Sequence, residues 1–377
     1  MKFQLVATGL FGLEHLLGEE IDALGYERVS TIDGRVTFLG DPEAVCLSNI
    51  FLKYAERVYI KLGSFRCESF DELFEGTKAL DWALFVGKND AFPVKGHSIK
   101  SKLFSIPDCQ RIVKKAIVSS LSERYGISVF SEEGVKLQVE FFILNDEATL
   151  MIDTSGIPLH KRGYRREHNA APIRETLAAA IVATSRPRED VLLWDPMCGS
   201  GTVAIEAARM MRGIAPGVNR SFAAEEFPFI DKALWRDARE EARDCEHKTD
   251  FSVFASDIDP NAVALTERNA RAAGVSDVIT AFRKDARRIS ADGRRGTIVT
   301  NPPYGERMGS EREIEALYRE IGEHFRSLSP WQVYIITSHP GFERLYGRRA
   351  DKVRKLYNGM IPCYLYQFFK NPDKFHK

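Results

Sequence analysis

Asn301, Pro302, Pro303 and Tyr304 form the motif whose residue types point most directly to chemistry. The Asn301 side-chain oxygen and the Pro302 carbonyl can both accept hydrogen bonds from one amino group, and proline contributes no competing N–H donor. Two acceptors would turn a conjugated exocyclic amine so that its lone pair faces an electrophile, and they would stabilise the positive charge that develops on nitrogen. Tyr304 offers a ring on which a planar base can stack. We predict a catalytic loop for amino groups rather than a proline-rich turn capped by asparagine, because other ligand-site motifs precede it in order.

The second candidate motif is a glycine turn between a strand-like run, Val191–Trp194, and a helical run, Val203–Met211. This layout is typical of a nucleotide-type site at the carboxyl end of a sheet, where helix N–H groups point toward the ligand. The turn lacks the Gly-Lys-Thr of a phosphate loop, and Ala204 occupies the last glycine position of a dinucleotide motif, so both of those ligand classes are disfavoured. The residues predicted to line the site are Asp195, Pro196, Cys198, Gly199, Ser200, Gly201 and Thr202. Asp195 could pair with a cationic ligand group, and the alternative is an ordinary glycine turn.

Acidic residues follow the next two predicted strands. At the end of the first, Asp257 is placed to bind a ribose diol and Ile258 to pack on adenine, as in dinucleotide folds. Asp259 precedes a proline and is predicted to cap the next helix. After the second strand, Asp285 and Ala286 are predicted to contact an adenine amino group, although an aspartate after a strand is common.

Basic residues concentrate in two stretches, although the chain has 53 Lys and Arg against 53 Asp and Glu and therefore no net charge. The first stretch contains Lys95, Lys100, Lys102, Arg111, Lys114, Lys115 and Arg124, and the second contains His160, Lys161, Arg162, Arg165, Arg166 and Arg174. A neutral total argues against a generally basic nucleic-acid binder but not against a local basic face. The alternative for each stretch is a solvated surface. Two such stretches flanking the candidate site favour contact with a phosphate backbone.

The remaining composition excludes several classes of protein. The six cysteines lie far apart with no C-x-x-C pair, so neither a zinc site nor a disulfide framework is expected, and no metal is predicted. Free thiols suit a reducing cytoplasm, which is the predicted location. No stretch resembles a signal peptide or a membrane span.

Periodicity divides the 377 residues into three regions. Residues 1–59 show strands and helices, with a hairpin predicted at Asp33-Gly34, and residues 60–155 mix helices with antiparallel strands in an α+β pattern. After a linker at 156–170, residues 171–377 alternate strands and helices, which predicts a mostly parallel α/β sheet. Asn358-Gly359 predicts an antiparallel hairpin at the end of that sheet. About 50 residues separate the helix after the glycine turn from the next strand, so a helical insertion is predicted at about 214–248.

The motifs D-P-x-C-G-S-G-T and N-P-P-Y together resemble those of class I amino-methyltransferases. The narrower resemblance is to bacterial THUMP-containing RNA methyltransferases, whose characterised relatives include large-subunit rRNA guanine-N2 methyltransferases. It covers residues 160–377, and more loosely residues 1–155. It implies a ferredoxin-like domain, a THUMP RNA-binding domain and a Rossmann-like catalytic domain that uses S-adenosyl-L-methionine. The segment 171–178, with Pro172 and Glu175, resembles the part of these enzymes that closes over the cofactor.

The resemblance implies methylation of an exocyclic amino nitrogen in RNA, first of all N2 of a guanine in 23S rRNA, free or in an assembling large subunit. Three alternatives remain open: an N6-adenine or N4-cytosine DNA methyltransferase, a protein glutamine methyltransferase, and a non-catalytic RNA-binding assembly factor. The first 155 residues favour RNA, because the first two alternative classes do not usually carry a THUMP-like module. The intact Asp195, Gly199 and Asn301 argue against the non-catalytic factor.

Overall fold

Turn chemistry and alternating apolar residues build the N-terminal half. The computed structural model of the protein describes residues 2–165, 173–304, 310–328 and 330–369. The first elements are β1 (Phe3–Gly9), α1 (Glu14–Ala23), β2 (Arg28–Ile32), β3 (Arg35–Gly40), α2 (Pro42–Phe51) and β4 (Ala55–Arg66). Gly34 adopts a φ of +73° in the two-residue turn between β2 and β3, which confirms the predicted hairpin.

The second region continues the same sheet. Its elements are α3 (Phe70–Lys78), β5 (Val94–Ile99), α4 (Ile106–Tyr125), β6 (Val139–Leu144) and β7 (Glu147–Asp153). The strand order is β2-β3-β1-β4-β7-β6-β5, so β4 pairs with β1 on one side and β7 on the other. The predicted boundary at residue 59 therefore falls inside β4, a strand that both N-terminal regions share.

The C-terminal half is the predicted α/β domain. Its elements are α5 (Glu175–Ser185), β8 (Leu192–Asp195), α6 (Thr202–Met211), α7 (Lys232–Asp244), β9 (Val253–Asp257), α8 (Pro260–Ala272), β10 (Ile279–Arg283), β11 (Gly296–Thr300), α9 (Glu311–Ser327), β12 (Gln332–Thr337), α10 (Phe342–Tyr346), β13 (Lys352–Asn358) and β14 (Ile361–Phe368). The strand order is β10-β9-β8-β11-β12-β14-β13. The first five strands in this order run parallel, whereas β14 is antiparallel to both β12 and β13. This confirms the predicted sheet with its terminal hairpin.

The predicted helical insertion contains a 3-10 turn, Ala223–Glu226, and α7, and it joins the two halves. The Gly217 N–H donates to the Ile50 carbonyl at 2.8 Å, and α7 packs against α2. A Cβ on Gly217 would lie 2.7 Å from the Asn49 carbonyl oxygen, so only glycine permits this approach. The insertion therefore binds the N-terminal half to the C-terminal half.

A buried polar network lies under this contact. The Asn49 amide donates to Thr154 Oγ1 at 2.9 Å, and its oxygen accepts from Ser155 Oγ at 2.6 Å. Thr154 and Ser155 follow β7 and also bond to the backbone of Val58 in β4. The three side chains are 0–1% exposed, so their hydrogen bonds come from one another and from the neighbouring backbone rather than from water.

We expect Asn49→Ala to lower the free energy of unfolding by about 1–3 kcal/mol, because it removes one hydrogen bond from each of two buried hydroxyl groups. Urea denaturation followed by circular dichroism measures the effect. The control is Ser64→Ala, which removes an exposed hydroxyl pair with Thr149. Equal urea midpoints for the two variants would show that the network contributes nothing to stability.

Candidate active site

The two chemical motifs meet where the order of the parallel strands reverses. β8 lies between β9 and β11, and the chain passes from β8 to β9 and β10 on one side and to β11 and β12 on the other. Asp195 ends β8 and Thr300 ends β11, so the glycine turn and the Asn301 loop leave adjacent strands at the same edge. In open α/β sheets, this reversal point opens the crevice in which ligands bind.

The glycine turn is shaped by backbone angles and by close packing. Gly199 has a φ of +54°, and apart from its two chain neighbours no described residue has a heavy atom within 4 Å of the position that a Cβ would occupy. Its N–H donates to Asp257 Oδ2 at 3.0 Å, which joins the turn to the end of β9. Gly201 has a φ of +80°, and a Cβ there would lie 2.8 Å from Thr266 Cγ2. The turn therefore needs glycine twice, and it leaves open space beside Gly199.

Two residues of α8 that the sequence motifs did not single out donate hydrogen bonds to the glycine turn. Thr266 Oγ1 donates to the Gly199 carbonyl at 3.1 Å, and Asn269 Nδ2 donates to the Ser200 carbonyl at 2.9 Å. Their spacing of three residues on a buried helix face was the available signal, because a buried polar side chain requires a partner. Cys198 is buried against Thr266, and burial raises the pKa of its thiol.

Asp195 is a buried carboxyl group that joins the two motifs. It is 2% exposed and accepts hydrogen bonds from Thr300 Oγ1 at 2.7 Å and from the Met197 N–H at 3.3 Å. Burial raises its pKa to about 7. Burial likewise raises the pKa of Asp257. Burial disfavours the ionised form of both carboxyl groups. A ligand between these strands that carries a positive charge or donates a hydroxyl hydrogen bond would stabilise that ionised form.

The second motif separates into two roles. Asp259 accepts from the Asn261 N–H at 2.9 Å and caps α8, as predicted. Asp257 lies at the strand end and accepts from the Asp259 N–H at 3.0 Å and from the glycine turn. The side chain of Ile258 is 55% exposed, so an apolar surface lies beside Asp257.

Asp285 has a partner within the protein. The Arg287 guanidinium donates to both carboxylate oxygens at 2.6–3.0 Å, and these bonds lower the pKa of Asp285. The carboxylate also caps the 3-10 turn Ala286–Arg288. A carboxylate bonded to one guanidinium keeps further acceptor sites, so contact between Asp285 and an adenine amino group stays a prediction. Ala286 is buried.

The Asn301 loop presents an acceptor. Asn301 Oδ1 is buried, and among the described residues it has no hydrogen-bond partner. The Pro303 carbonyl accepts from the Tyr318 hydroxyl at 2.8 Å, which fixes the backbone of the loop. The Tyr304 hydroxyl accepts from Asn358 Nδ2 at 3.2 Å, and burial raises its pKa, so Tyr304 is a neutral phenol. A buried oxygen without a donor is costly, and a substrate N–H would satisfy it.

Glu175 reaches the site through an arginine. It is 2% exposed, and Arg165 Nη2 lies 3.0 Å from its Oε2. The same guanidinium donates through Nη1 to Thr202 Oγ1 at 2.9 Å, at the first residue of α6. Glu175, predicted to contact the cofactor, therefore holds the arginine that braces the glycine turn. Pro172, predicted beside it, lies outside the described residues.

The predicted basic face at the domain junction requires a correction. Arg162 is 4% exposed and donates to the carbonyls of Leu159 and Lys53. Arg165 pairs with Glu175, as described above. Both arginines were predicted to bind RNA. Their guanidinium groups instead bond to carbonyl and carboxylate groups within the protein, as charged groups withdrawn from solvent must. Lys161 is exposed, and Arg166 lies outside the described residues.

The first basic stretch keeps its charges on the surface. Lys100, Lys102, Arg111 and Lys115 are exposed, although Lys102 pairs with Glu68 and Arg111 with Asp108. Lys114 is half-buried, with its ammonium 3.5 Å from the centre of the Phe92 ring and paired with Glu132. Lys100 and Lys115 are therefore the most available of these cations.

Other site types find no support in the described part of the chain. Its residues contain no group of three His, Cys, Asp or Glu side chains arranged to hold a metal ion. None of its helices has the length and apolar character that crossing a membrane requires. All six cysteines are free thiols.

Family models match all three regions. A ferredoxin-like domain of the RlmL type matches residues 4–59, a THUMP domain matches 67–153, and an RMKL-like methyltransferase domain matches 162–367. Together they follow the order of the predicted regions.

Individual relatives match over nearly the whole chain. A Bacillus subtilis (strain 168) protein named "Putative RNA methyltransferase YpsC" is 44% identical, over 98% of this chain and 96% of its own length. A Listeria monocytogenes (str. 4b F2365) structure, described as a "predicted N6-adenine-specific DNA methylase", is 43% identical, with a TM-score of 0.92 and coverage of 98% and 97%. The structure of SMU.472 complexed with SAH is 42% identical, with a TM-score of 0.91 and coverage of 98% of both chains.

We expect Asp195→Asn to gain stability over the natural protein as pH rises. The folded carboxyl group has a pKa of about 7, against an ordinary aspartate value of 3.8, so the natural protein loses stability from about pH 4 to pH 7. Asparagine keeps the acceptor for Thr300 and has no proton to lose. The stability difference should be about 2–3 kcal/mol larger at pH 8 than at pH 5, by urea denaturation. A pH-independent difference, like that of the exposed Asp250→Asn, would contradict the raised pKa.

Proposed function

We propose that this chain, which belongs to the THUMP-containing, RlmL-like methyltransferases, transfers a methyl group to an exocyclic amino nitrogen of a base in RNA. The first candidate target is N2 of a guanine in 23S rRNA, free or in an assembling large subunit. The observation that carries the proposal is the buried Asn301 oxygen, which no donor among the described residues satisfies, at the strand end next to the glycine turn.

The crevice fits S-adenosyl-L-methionine. Open space beside Gly199 leaves room for a ligand against the backbone, and Asp257 and Ile258 provide a carboxylate and an exposed apolar surface for its ribose and adenine. Asp195 gives the crevice a carboxyl group whose ionised form a cationic ligand would stabilise. When bound, the cofactor supplies an electrophilic methyl group on a sulfonium.

The residues of the Asn301 loop would orient the amino group toward the methyl donor. Asn301 Oδ1 would accept one N–H of the amino group, and the Pro302 carbonyl would accept the other, which turns the nitrogen lone pair away from the ring. The same acceptors would stabilise the positive charge on nitrogen during transfer. The neutral ring of Tyr304 would stack on the base, a contact worth about 1–3 kcal/mol.

RNA is supported over the other substrate classes by the N-terminal half. The THUMP match and the name of the Bacillus subtilis relative both favour RNA, and the exposed lysines of that region can contact phosphates. Guanine N2 is supported by the resemblance to large-subunit rRNA methyltransferases and by the RlmL-type ferredoxin-like domain. The name of the Listeria relative keeps adenine-N6 methylation of DNA as the second candidate.

The deciding experiment is nucleoside mass spectrometry of RNA and genomic DNA from cells with and without the gene. Loss of N2-methylguanosine from 23S rRNA in the deletion strain would support the proposal. A methylated base missing only from DNA would favour the second candidate, and unchanged nucleosides in both would point to a protein substrate or a non-catalytic role.

Asn301→Ala should reduce methyl transfer by about a hundredfold or more, because it removes a preorganised acceptor for the developing charge. The affinity for SAH should change by less than about twofold, because the side chain is not predicted to touch the cofactor. Calorimetry with SAH and initial rates on RNA separate the two effects. Asn219→Ala, an exposed asparagine in the insertion, is the control. Equal loss of binding and turnover would assign Asn301 to the cofactor site.

Lys115→Glu should weaken RNA binding without changing SAH affinity, because an exposed cation on α4 becomes an anion. The logarithm of the binding constant falls as the logarithm of salt concentration rises, and this dependence should become less steep by about one. Lys232→Glu, the same reversal on α7, is the matched control. Unchanged RNA affinity and salt slope in Lys115→Glu would show that this face is only solvated.

A further inference from the structure

Met360 is the most exposed large hydrophobic side chain in the described part of the chain, at 93% of its surface. It is the second residue of the turn between β13 and β14, because Asn358 pairs with Ile361 across the hairpin. Gly359 takes a φ of +66°, as the first central position of a type II′ turn requires. The next residue, Ile361, is also 45% exposed. Single exposed apolar residues are common, so exposure alone does not indicate a function for Met360. Its position relative to the Asn301 loop does.

The tip is attached to the catalytic loop. Asn358 Nδ2 donates to the Tyr304 hydroxyl at 3.2 Å, and Cys363 Sγ lies 3.9 Å from the same oxygen. Consecutive Cα atoms are 3.8 Å apart, so the Met360 Cα lies within about 7.6 Å of the Asn358 Cα. The exposed thioether therefore belongs to a turn whose flanking residue, Asn358, bonds to the Tyr304 hydroxyl.

The hairpin is also braced from the other side. The Arg174 N–H donates to Asn358 Oδ1 at 3.3 Å, just before α5. Phe11, in the loop after β1, contacts the Tyr357 ring edge-on at 5.7 Å between centroids. Contacts with the catalytic loop, the start of α5 and the N-terminal region hold the hairpin, so its tip is presented rigidly.

We propose that Met360 is a stacking wedge that enters the RNA base stack when the target base leaves it. This inference rests on the proposed function. A base held by Asn301 and Tyr304 must leave its helix, and the loss of stacking opposes that step. Apolar side chains, including methionine, can insert between base steps and replace part of this stacking. An unbranched thioether adapts to the irregular space that remains.

The test begins with the natural protein, S-adenosyl-L-methionine and total RNA from cells that lack the gene, and the methylated nucleotide is mapped. Kinetics are then measured on short RNAs around that nucleotide, with the target base either paired or placed opposite an abasic position. Three variants are compared on both: Met360→Ala, the conservative Met360→Leu, and Val353→Ala, which truncates an exposed side chain near the start of the same hairpin. SAH affinity is measured for each.

We expect Met360→Ala to lower kcat on the paired RNA by about tenfold, the equivalent of one base-stacking contact. Its defect on the abasic RNA should be less than about threefold, because an unpaired base is easier to extrude. Met360→Leu should retain most activity, Val353→Ala all of it, and SAH affinity should not change in any variant. Equal defects on both RNAs, or no defect on the paired RNA, would overturn the wedge while leaving RNA methylation intact. Absence of RNA methylation by the natural protein would overturn the proposed function and the wedge together.

Discussion

The hydrogen bond from Thr300 to Asp195 is the contact on which the arrangement of the site depends. It joins the ends of β8 and β11 at 2.7 Å inside the sheet, where the parallel strand order reverses. A buried carboxyl group is costly unless it is hydrogen-bonded, so these two strand ends stabilise the protein only when they lie side by side. The glycine turn and the Asn301 loop leave from those ends. The pairing of β8 with β11 therefore brings the glycine turn and the Asn301 loop together.

The N-terminal half is fixed to this site by buried contacts rather than by a loose linker. Glu56 of β4 accepts hydrogen bonds from Thr176 Oγ1 at 2.6 Å and from Arg174 Nη1 at 2.7 Å, at the start of α5. The Asn49 network and the insertion make a second attachment. A substrate held by the N-terminal half would thus meet the catalytic loop in a defined orientation, which is the condition for catalysis by positioning.

The charge distribution explains how a chain with no net charge can still present cations. At the domain junction, Arg162 and Arg165 turn inward and pair with carboxylates or carbonyls. Along α4, and along the strand and loop before it, the exposed lysines are Lys95, Lys100, Lys102 and Lys115. Phosphate contacts depend on charge near the strand and not on the total, so a few exposed lysines suffice for a local face.

The sequence alone determined the elements, the order of the motifs and the family, because glycine turns, proline positions and apolar periodicity act locally. The strands that end at Asp195, at Asp257 and just before Asn301 were all predictable in this way, as was the helix cap at Asp259. Tertiary structure decided what depends on packing between distant segments. It placed β11 beside β8 and packed Thr266 and Asn269 against the glycine turn. It also paired Asp285 with Arg287, and it turned two arginines predicted to face RNA toward partners within the protein. Whether a polar side chain faces solvent or a partner depends on which elements cover it, and residues close in sequence cannot specify that.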